Sequence, residues 1–371
     1  MSPVAPGRNP AGAGTKLAGA GTKPAGAGTN QAGAGTAVAT IPAARARRAH
    51  TSGGEMSLEA SYEELRDGSV LVELQRDLVR LSGPDAVSFM QGQCTQDIST
   101  LAGGDCTDAL VLDPRGKLDA LVRVTLSGTE EVLVDLDGGF AEALVERLRR
   151  FRIRVRAEVE VLGTRAFGWR GPRSPEAIAS AAEASVVARV AWNAVVGWDL
   201  VGASLEVPPG PSRCAAGAWE AFRIEEGLPL MGAELDERTI PAEAGLVDRC
   251  VSFDKGCYTG QELVARLQAR GSKVARRLCG LVVDLPGAGR ARPTGDGAPP
   301  VERGSRVLVG SKQVGSVTSS AVSPISGAVV ALAYLHRSVA PSSEVAVECA
   351  ASSDLPALSI AAEVRDLPFR G

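Results

Sequence analysis

Residues 252–266 read Ser252-Phe253-Asp254-Lys255-Gly256-Cys257-Tyr258-Thr259-Gly260-Gln261-Glu262-Leu263-Val264-Ala265-Arg266. Lys255 stands two residues before Cys257, and Gly256 and Gly260 bracket the Cys-Tyr-Thr triplet, a pattern that permits a tight backbone approach with the thiol offered beside a cation. A free cysteine titrates near ~8.5 and a neighbouring ammonium favours its thiolate, so Cys257 suits a nucleophile, a redox handle or a single cluster ligand. A buried, inert cysteine is the commoner use of the residue, and the run by itself leaves that open. Beyond it, Leu263, Val264 and Leu267 form an apolar stripe that predicts a helix over 261–269.

Working upstream, Arg223-Ile224-Glu225-Glu226-Gly227-Leu228-Pro229 ends a helix expected over 215–226 at a glycine. Glu225 therefore sits in the last turn. One carboxylate can accept two parallel donors from a planar partner, whether a guanidinium or the amine and ring N–H edge of a pterin. An isolated last-turn glutamate is more often simply solvated.

The same segment divides the chain. From Val70 to Leu162 strand-like runs (70–74, 77–81, 131–136, 153–162) alternate with helical ones (83–90, 140–150), a β-α-β rhythm of ferredoxin-like units. A surface helix is expected over 172–184 and two short strands over 185–201. After Gly271 the pattern is almost all short strands (277–284, 306–309, 312–319, 328–335 and 345–349) spaced by Gly, Pro and Ser, as in a small β-barrel. The Pro/Gly-rich 286–300 segment is expected to be a mobile loop. Ahead of everything lies a leader in which Ala-Gly-Ala-Gly-Thr recurs at 11, 18, 25 and 32; without aromatic or periodic apolar residues it is expected to be disordered. Globular patterning begins only near Met56, which we take as the candidate true start of translation. The expected domains are thus 1–55 (leader), 56–272 (an α+β region of two interwoven subdomains) and 273–371 (the barrel).

Composition removes several function classes. Of 371 residues, 44% are hydrophobic and 22% charged, the balance of a globular protein. No run approaches the roughly 18 apolar residues of a membrane span, and no secretory signal is visible. We expect no membrane association and a cytoplasmic location. Six basic residues and no acidic one lie in residues 1–54, so the remainder holds 34 basic against 43 acidic side chains, a poor surface for direct nucleic-acid binding. Only His50 and His336 are present, which disfavours a Ser-His-Asp triad and rules out a site of several histidines. Seven scattered cysteines without a Cys-x-x-Cys pair argue against a disulfide framework or a self-contained zinc site. Gly116-Lys117 lacks the first glycine and the Ser or Thr of a phosphate loop.

The runs 223–229, Ile240-Pro241-Ala242-Glu243 and 252–266, with Gly83-Pro84-Asp85-Ala86 and Phe89-Met90-Gln91-Gly92-Gln93-Cys94-Thr95-Gln96-Asp97, resemble the consecutive hallmarks of the YgfZ folate-binding family, within the superfamily of the glycine-cleavage T-protein. The similarity spans about 69–350. It implies an α+β, three-domain ring with intertwined ferredoxin-like subdomains and a C-terminal antiparallel β-barrel. It further implies tetrahydrofolate, or a one-carbon derivative, as cofactor, in a central hollow with Glu225 at the pterin. Cys257 would be the functional thiol, and Asp119 would lie near the reactive nitrogen. Arg223, Lys255, Tyr258, Gln261, Glu262 and Arg266 would make further cofactor contacts. The implied role is the assembly, repair or maintenance of iron-sulfur enzymes, some of which modify tRNA, through transient contact with them. We expect a monomer that holds no metal of its own.

Two rival readings stay open. The T-protein transfers an aminomethyl group to tetrahydrofolate and is associated with an Asp-Asp pair, where this chain has Asp119-Ala120; one carboxylate is kept and one lost. The other rival is a folate-binding scaffold that catalyses nothing. Finally, Arg150, Arg152, Arg154 and Arg156 alternate with apolar residues, so a strand there would gather four guanidiniums on one face, suited to a folate glutamate tail or, more plainly, to solvent.

Overall fold

Only Gln75 separates strand β1 (Val70–Leu74) from β2 (Arg76–Ser82), yet the two enter different sheets. In this computed structural model, residues 56–175, 184–208, 210–283, 301–349 and 358–369 are described. The leader, residues 176–183 of the expected surface helix and the 286–300 loop lie outside them.

Helix α1 (Leu58–Asp67) starts at Ser57, whose hydroxyl accepts the Ala60 amide at 3.2 Å, a side-chain cap that satisfies one of the free N–H groups of the first turn. The chain then runs through β1 and β2, α2 (Ala86–Gln93), β3 (Cys106–Leu112), β4 (Leu118–Gly128), β5 (Glu131–Asp137), α3 (Ala141–Phe151), β6 (Glu158–Leu162), β7 (Arg165–Arg170), β8 (Val186–Trp192) and β9 (Val195–Gly202). One antiparallel sheet has the order β3-β4-β5-β2-β6 and the other β1-β7-β9-β8. The crossing at Gln75 and the return at β7 interweave the two.

Strand periodicity sorts the core. Val79, Leu81, Val132, Val134 and Leu136 face α2 and α3, where Phe89, Met90, Leu144 and Leu148 cover them. From the same strands Leu78 and Leu133 point the other way, onto Ala166, Val186, Ala188 and Val201 of the second sheet. Charges are buried on that inner side too. Arg123 donates to Asp135 at 2.7 and 2.9 Å and to Asp199 at 2.7 Å, and Arg170 closes the chain on Asp199. Each charge is paired, which is what makes its burial tolerable.

After β9 come α4 (Ala216–Glu225), a 3-10 turn (Pro241–Ala244), α5 (Val247–Cys250) and α6 (Gln261–Ala269). Gly227, at φ 67°, turns the chain out of α4. The remaining strands are β10 (Arg276–Val283), β11 (Arg306–Val309), β12 (Lys312–Val322), β13 (Val329–His336), β14 (Glu344–Cys349) and β15 (Leu358–Arg365), a closed barrel in the order β10-β13-β12-β11-β14-β15. β15, absent from the sequence-based expectation, completes the closure by pairing with both β14 and β10. The barrel joins the rest through α4: Arg223 donates to Ser319 of β12 at 2.9 Å, and the Phe369 amide donates to the Glu225 carbonyl at 2.8 Å. The architecture is α+β, with antiparallel sheets and a six-stranded barrel, as expected.

One expectation fails. Residues 153–157 are not strand, because α3 runs to Phe151 and Arg154 takes a left-handed backbone, φ 60°. The alternation of Arg150 to Arg156 therefore never becomes a face. Instead Arg150 pairs with Glu146, Arg152 with Glu158 and Arg156 with Asp85.

Candidate functional site around the 251–260 loop and the end of α4

The loop between α5 and α6 is sewn to the C-terminal end of α2. Ser252 donates its amide to the Thr95 carbonyl at 3.0 Å, and Thr259 donates to the Gly92 carbonyl at 3.2 Å. Thr95 returns a hydroxyl bond to the Cys250 carbonyl at 2.5 Å. Between these sutures the Lys255 ammonium donates to the carbonyls of Gln91, Cys94 and Gln96 at 2.7, 2.8 and 2.8 Å. Burial pushes that ammonium down from its ordinary value. Tyr258 packs inward, its ring centroid 5.4 Å from the Lys255 nitrogen, and burial pushes its phenol up to about 12. Cys257, its neighbour, is exposed.

Two glycines allow this close seating. Gly116, in the β3–β4 turn, has φ 79°, and a Cβ there would lie 2.6 Å from the Leu263 Cβ; Gly260 has φ 83°, and its Cβ would lie 2.5 Å from the Asp113 carbonyl. Neither conformation suits a side chain. Helix α6 then starts with Gln261 half-buried and Glu262 and Arg266 exposed.

Asp119 reaches the same end of α2 through an arginine. Arg147 donates Nε to Asp119 at 2.9 Å, Nη1 to the Gln93 side chain at 3.0 Å and Nη2 to the Leu112 carbonyl at 3.0 Å, with its guanidinium 3.7 Å from the Phe151 ring centroid. Burial raises the Asp119 carboxyl more than the Arg147 contact lowers it. Ala120 is buried against the helices, so no second carboxylate stands at that position.

Glu225 and Arg223, two residues apart on α4, face different neighbours. Arg223 is 2% exposed and bonds Glu220, Glu234, Ser319 and the Leu228 carbonyl, so it serves the barrel junction. Glu225 is 1% exposed, and its Oε2 accepts the phenol of Tyr62 from α1. Tyr62 also meets Phe222 edge to face, centroids 5.6 Å apart. Tyr62, Phe222 and Tyr258 belong to one apolar cluster with Leu112 and Leu118, so the acid at the end of α4 and the 251–260 loop border a common core. Among the described residues, no group of three or more His, Cys, Asp or Glu is placed to hold a metal. No helix among them is long and apolar enough to cross a membrane.

Sequence reading missed Tyr62 and Arg147. Arg147 left a signal: it interrupts the stripe Leu144, Leu148, Phe151 on the buried face of α3, and an arginine inside an apolar stripe needs a partner. Tyr62 left none, since its bond to Glu225 spans 163 positions.

Residues 276–369 match the family model described as the glycine cleavage T-protein C-terminal barrel domain. The tRNA-modifying protein YgfZ of Aliivibrio fischeri is 27% identical over 229 residues, covering 58% of this chain and 72% of that protein. An aminomethyltransferase of Rubrobacter xylanophilus is 27% identical over 330 residues, covering 79% and 84%. Among solved structures, the glycine cleavage system aminomethyltransferase T of Bartonella henselae superposes with a TM-score of 0.64 at 19% identity, covering 84% of this chain and 89% of that one; at that identity it speaks to the fold.

Proposed function

We propose, for a chain that is homologous to the YgfZ-like proteins and carries the glycine-cleavage T-protein fold, that it binds tetrahydrofolate or a one-carbon derivative and supports the assembly, repair or maintenance of iron-sulfur enzymes, tRNA-modifying ones among them. Cys257 is its working thiol. The observation that carries the reading is the contrast among cysteines. Of the six cysteines whose burial is described, Cys94, Cys250 and Cys279 are buried and Cys106 and Cys214 half-buried, while Cys257 is exposed, on a loop whose flanks are bonded to Gly92 of α2 and to Thr95 just beyond it.

The chemistry of Glu225 fits a reduced pteridine. Its carboxylate lies in an apolar cluster, where a two-donor contact gains most from the low local dielectric. A pterin edge there would share Oε2 with the Tyr62 phenol or displace it. Folate when bound supplies a one-carbon carrier; the chain's own part is to orient it and to keep water from its donor edge.

Replacing Cys257 by Ala should impair iron-sulfur enzymes in cells while the purified variant still binds tetrahydrofolate. Full activity of those enzymes in the variant strain would remove the thiol role. Aminomethyl transfer is the weaker reading because Asp119 is held by Arg147 and Ala120 supplies no second acid. Purified protein incubated with an aminomethylated lipoyl carrier and tetrahydrofolate should not turn over. A scaffold without chemistry would be indifferent to substitution of both Cys257 and Asp119.

A further inference from the structure

The loop that presents Cys257 is organised around a buried cation. Helix α2 ends at Gln93, and the last carbonyls of a helix lack intrahelical partners and form the negative end of its dipole. The Gln91 carbonyl belongs to that last turn, and the chain then folds so that the Cys94 and Gln96 carbonyls aim at the same point. All three oxygens lie 2.7–2.8 Å from the Lys255 nitrogen, within the range of charge-assisted hydrogen bonds. An ammonium has three donors and no acceptor, so the three carbonyls use it fully. The Tyr258 ring, 5.4 Å away at its centroid, lies within cation–π reach.

We infer that Lys255 is a positioning residue: its ammonium is the resident cation of a three-carbonyl nest at the end of α2, and this clamp fixes the loop that carries Cys257 and Tyr258. The alternative suggested by its place in the sequence is a charge set beside Cys257 to stabilise the thiolate; the Lys255 ammonium instead aims its three N–H donors at the carbonyls. Cys257 lies two residues after the clamp and two residues before the Thr259–Gly92 bond, so the clamp and that bond determine where its sulfur is offered. An arginine cannot replace the lysine here. Its planar fork suits flat, bidentate acceptors, and a compact three-donor cation suits three oxygens converging on a point.

The consequence for function rests on the reading of Cys257 as the working thiol, but the clamp is tested separately. Amide hydrogen exchange and the pH dependence of Cys257 alkylation are measured on full-length wild type, Lys255→Met and Lys255→Arg. A clamp predicts that both variants lose protection at Thr259 and Ser252 by at least about tenfold, while the pH midpoint of Cys257 alkylation stays put. An activating charge predicts the reverse: exchange is unchanged, and in Lys255→Met the midpoint rises by about one unit while Lys255→Arg keeps the wild-type value. That second pattern would overturn the proposal. Wild type alone supplies a further test, needed if the variants fail to fold. Nitrogen-15 NMR should show a Lys255 ammonium whose protons exchange slowly with water, and a freely exchanging Lys255 would equally overturn it. Loss of iron-sulfur enzyme activity in Cys257→Ala reads the thiol and not the clamp, so the two ideas fail independently.

Discussion

The phenol of Tyr62, on the first helix, donates a hydrogen bond to the Glu225 carboxylate at the end of α4, and both side chains are buried. A pterin that uses Glu225 must therefore come to terms with Tyr62.

Removing the phenol should act in opposite senses on stability and binding. Tyr62→Phe leaves a buried carboxylate short of a donor and should lower unfolding free energy by about 1.5–3 kcal/mol. It also removes a competitor for the same oxygen, so tetrahydrofolate affinity should rise, by up to about tenfold. Thermal melts with and without tetrahydrofolate check both, and a variant that binds more weakly than wild type would contradict the sharing of Oε2.

Thiol chemistry should be selective. Burial pushes the Cys94 and Cys279 thiols up to about 11 and the Cys250 thiol up as well, whereas Cys257 is exposed; reactivity follows thiolate fraction and access. Brief alkylation near pH 8 followed by peptide mass spectrometry should find Cys257 modified well ahead of these three.

The loop's glycines differ in what they tolerate. Gly260→Ala combines a left-handed backbone with a contact of 2.5 Å to a carbonyl oxygen and should cost about 1–3 kcal/mol. Gly256 faces open space, and Gly256→Ala should change stability by less than about 0.5 kcal/mol. Urea titrations of the two variants test the contrast.

Acid should unlock the two sheets from each other. Burial alone would raise the Asp199 carboxyl, but the guanidiniums of Arg170, Arg123 and Arg76 overcome it and hold the group well below its ordinary 3.8. Because the folded-state value is depressed, the associated stability is fully present above the unfolded value and is lost as pH falls below about 4. Asp199→Asn should cost about 3–5 kcal/mol at neutral pH by leaving buried guanidiniums short of a partner, and it should flatten the acid limb of a stability–pH curve.

Local pattern was enough for much of this. Gly227 and the 261–269 stripe mark the bounds of α4 and α6, and Glu225 and Cys257 are singled out by the resemblance of the runs that contain them. Pairings between distant segments were not legible: nothing near Glu225 announces Tyr62, and the three carbonyls that hold Lys255 lie more than 150 positions away. Alternation misled at Arg150–Arg156, where a helix end and the left-handed Arg154 break the period. It was overlooked at β15, where Ile360, Ala362 and Val364 alternate inward but the small alanine weakens the apolar signal.

Glu225 is the residue proposed to hold a reduced pteridine. Calorimetric titration of tetrahydrofolate into wild type and Glu225→Ala, with folding of the variant checked by circular dichroism, tests it most directly. Loss of two charge-assisted hydrogen bonds predicts binding to wild type and at least about 100-fold weaker binding to the variant. Equal affinity for the two proteins, or no binding to wild type, would contradict it.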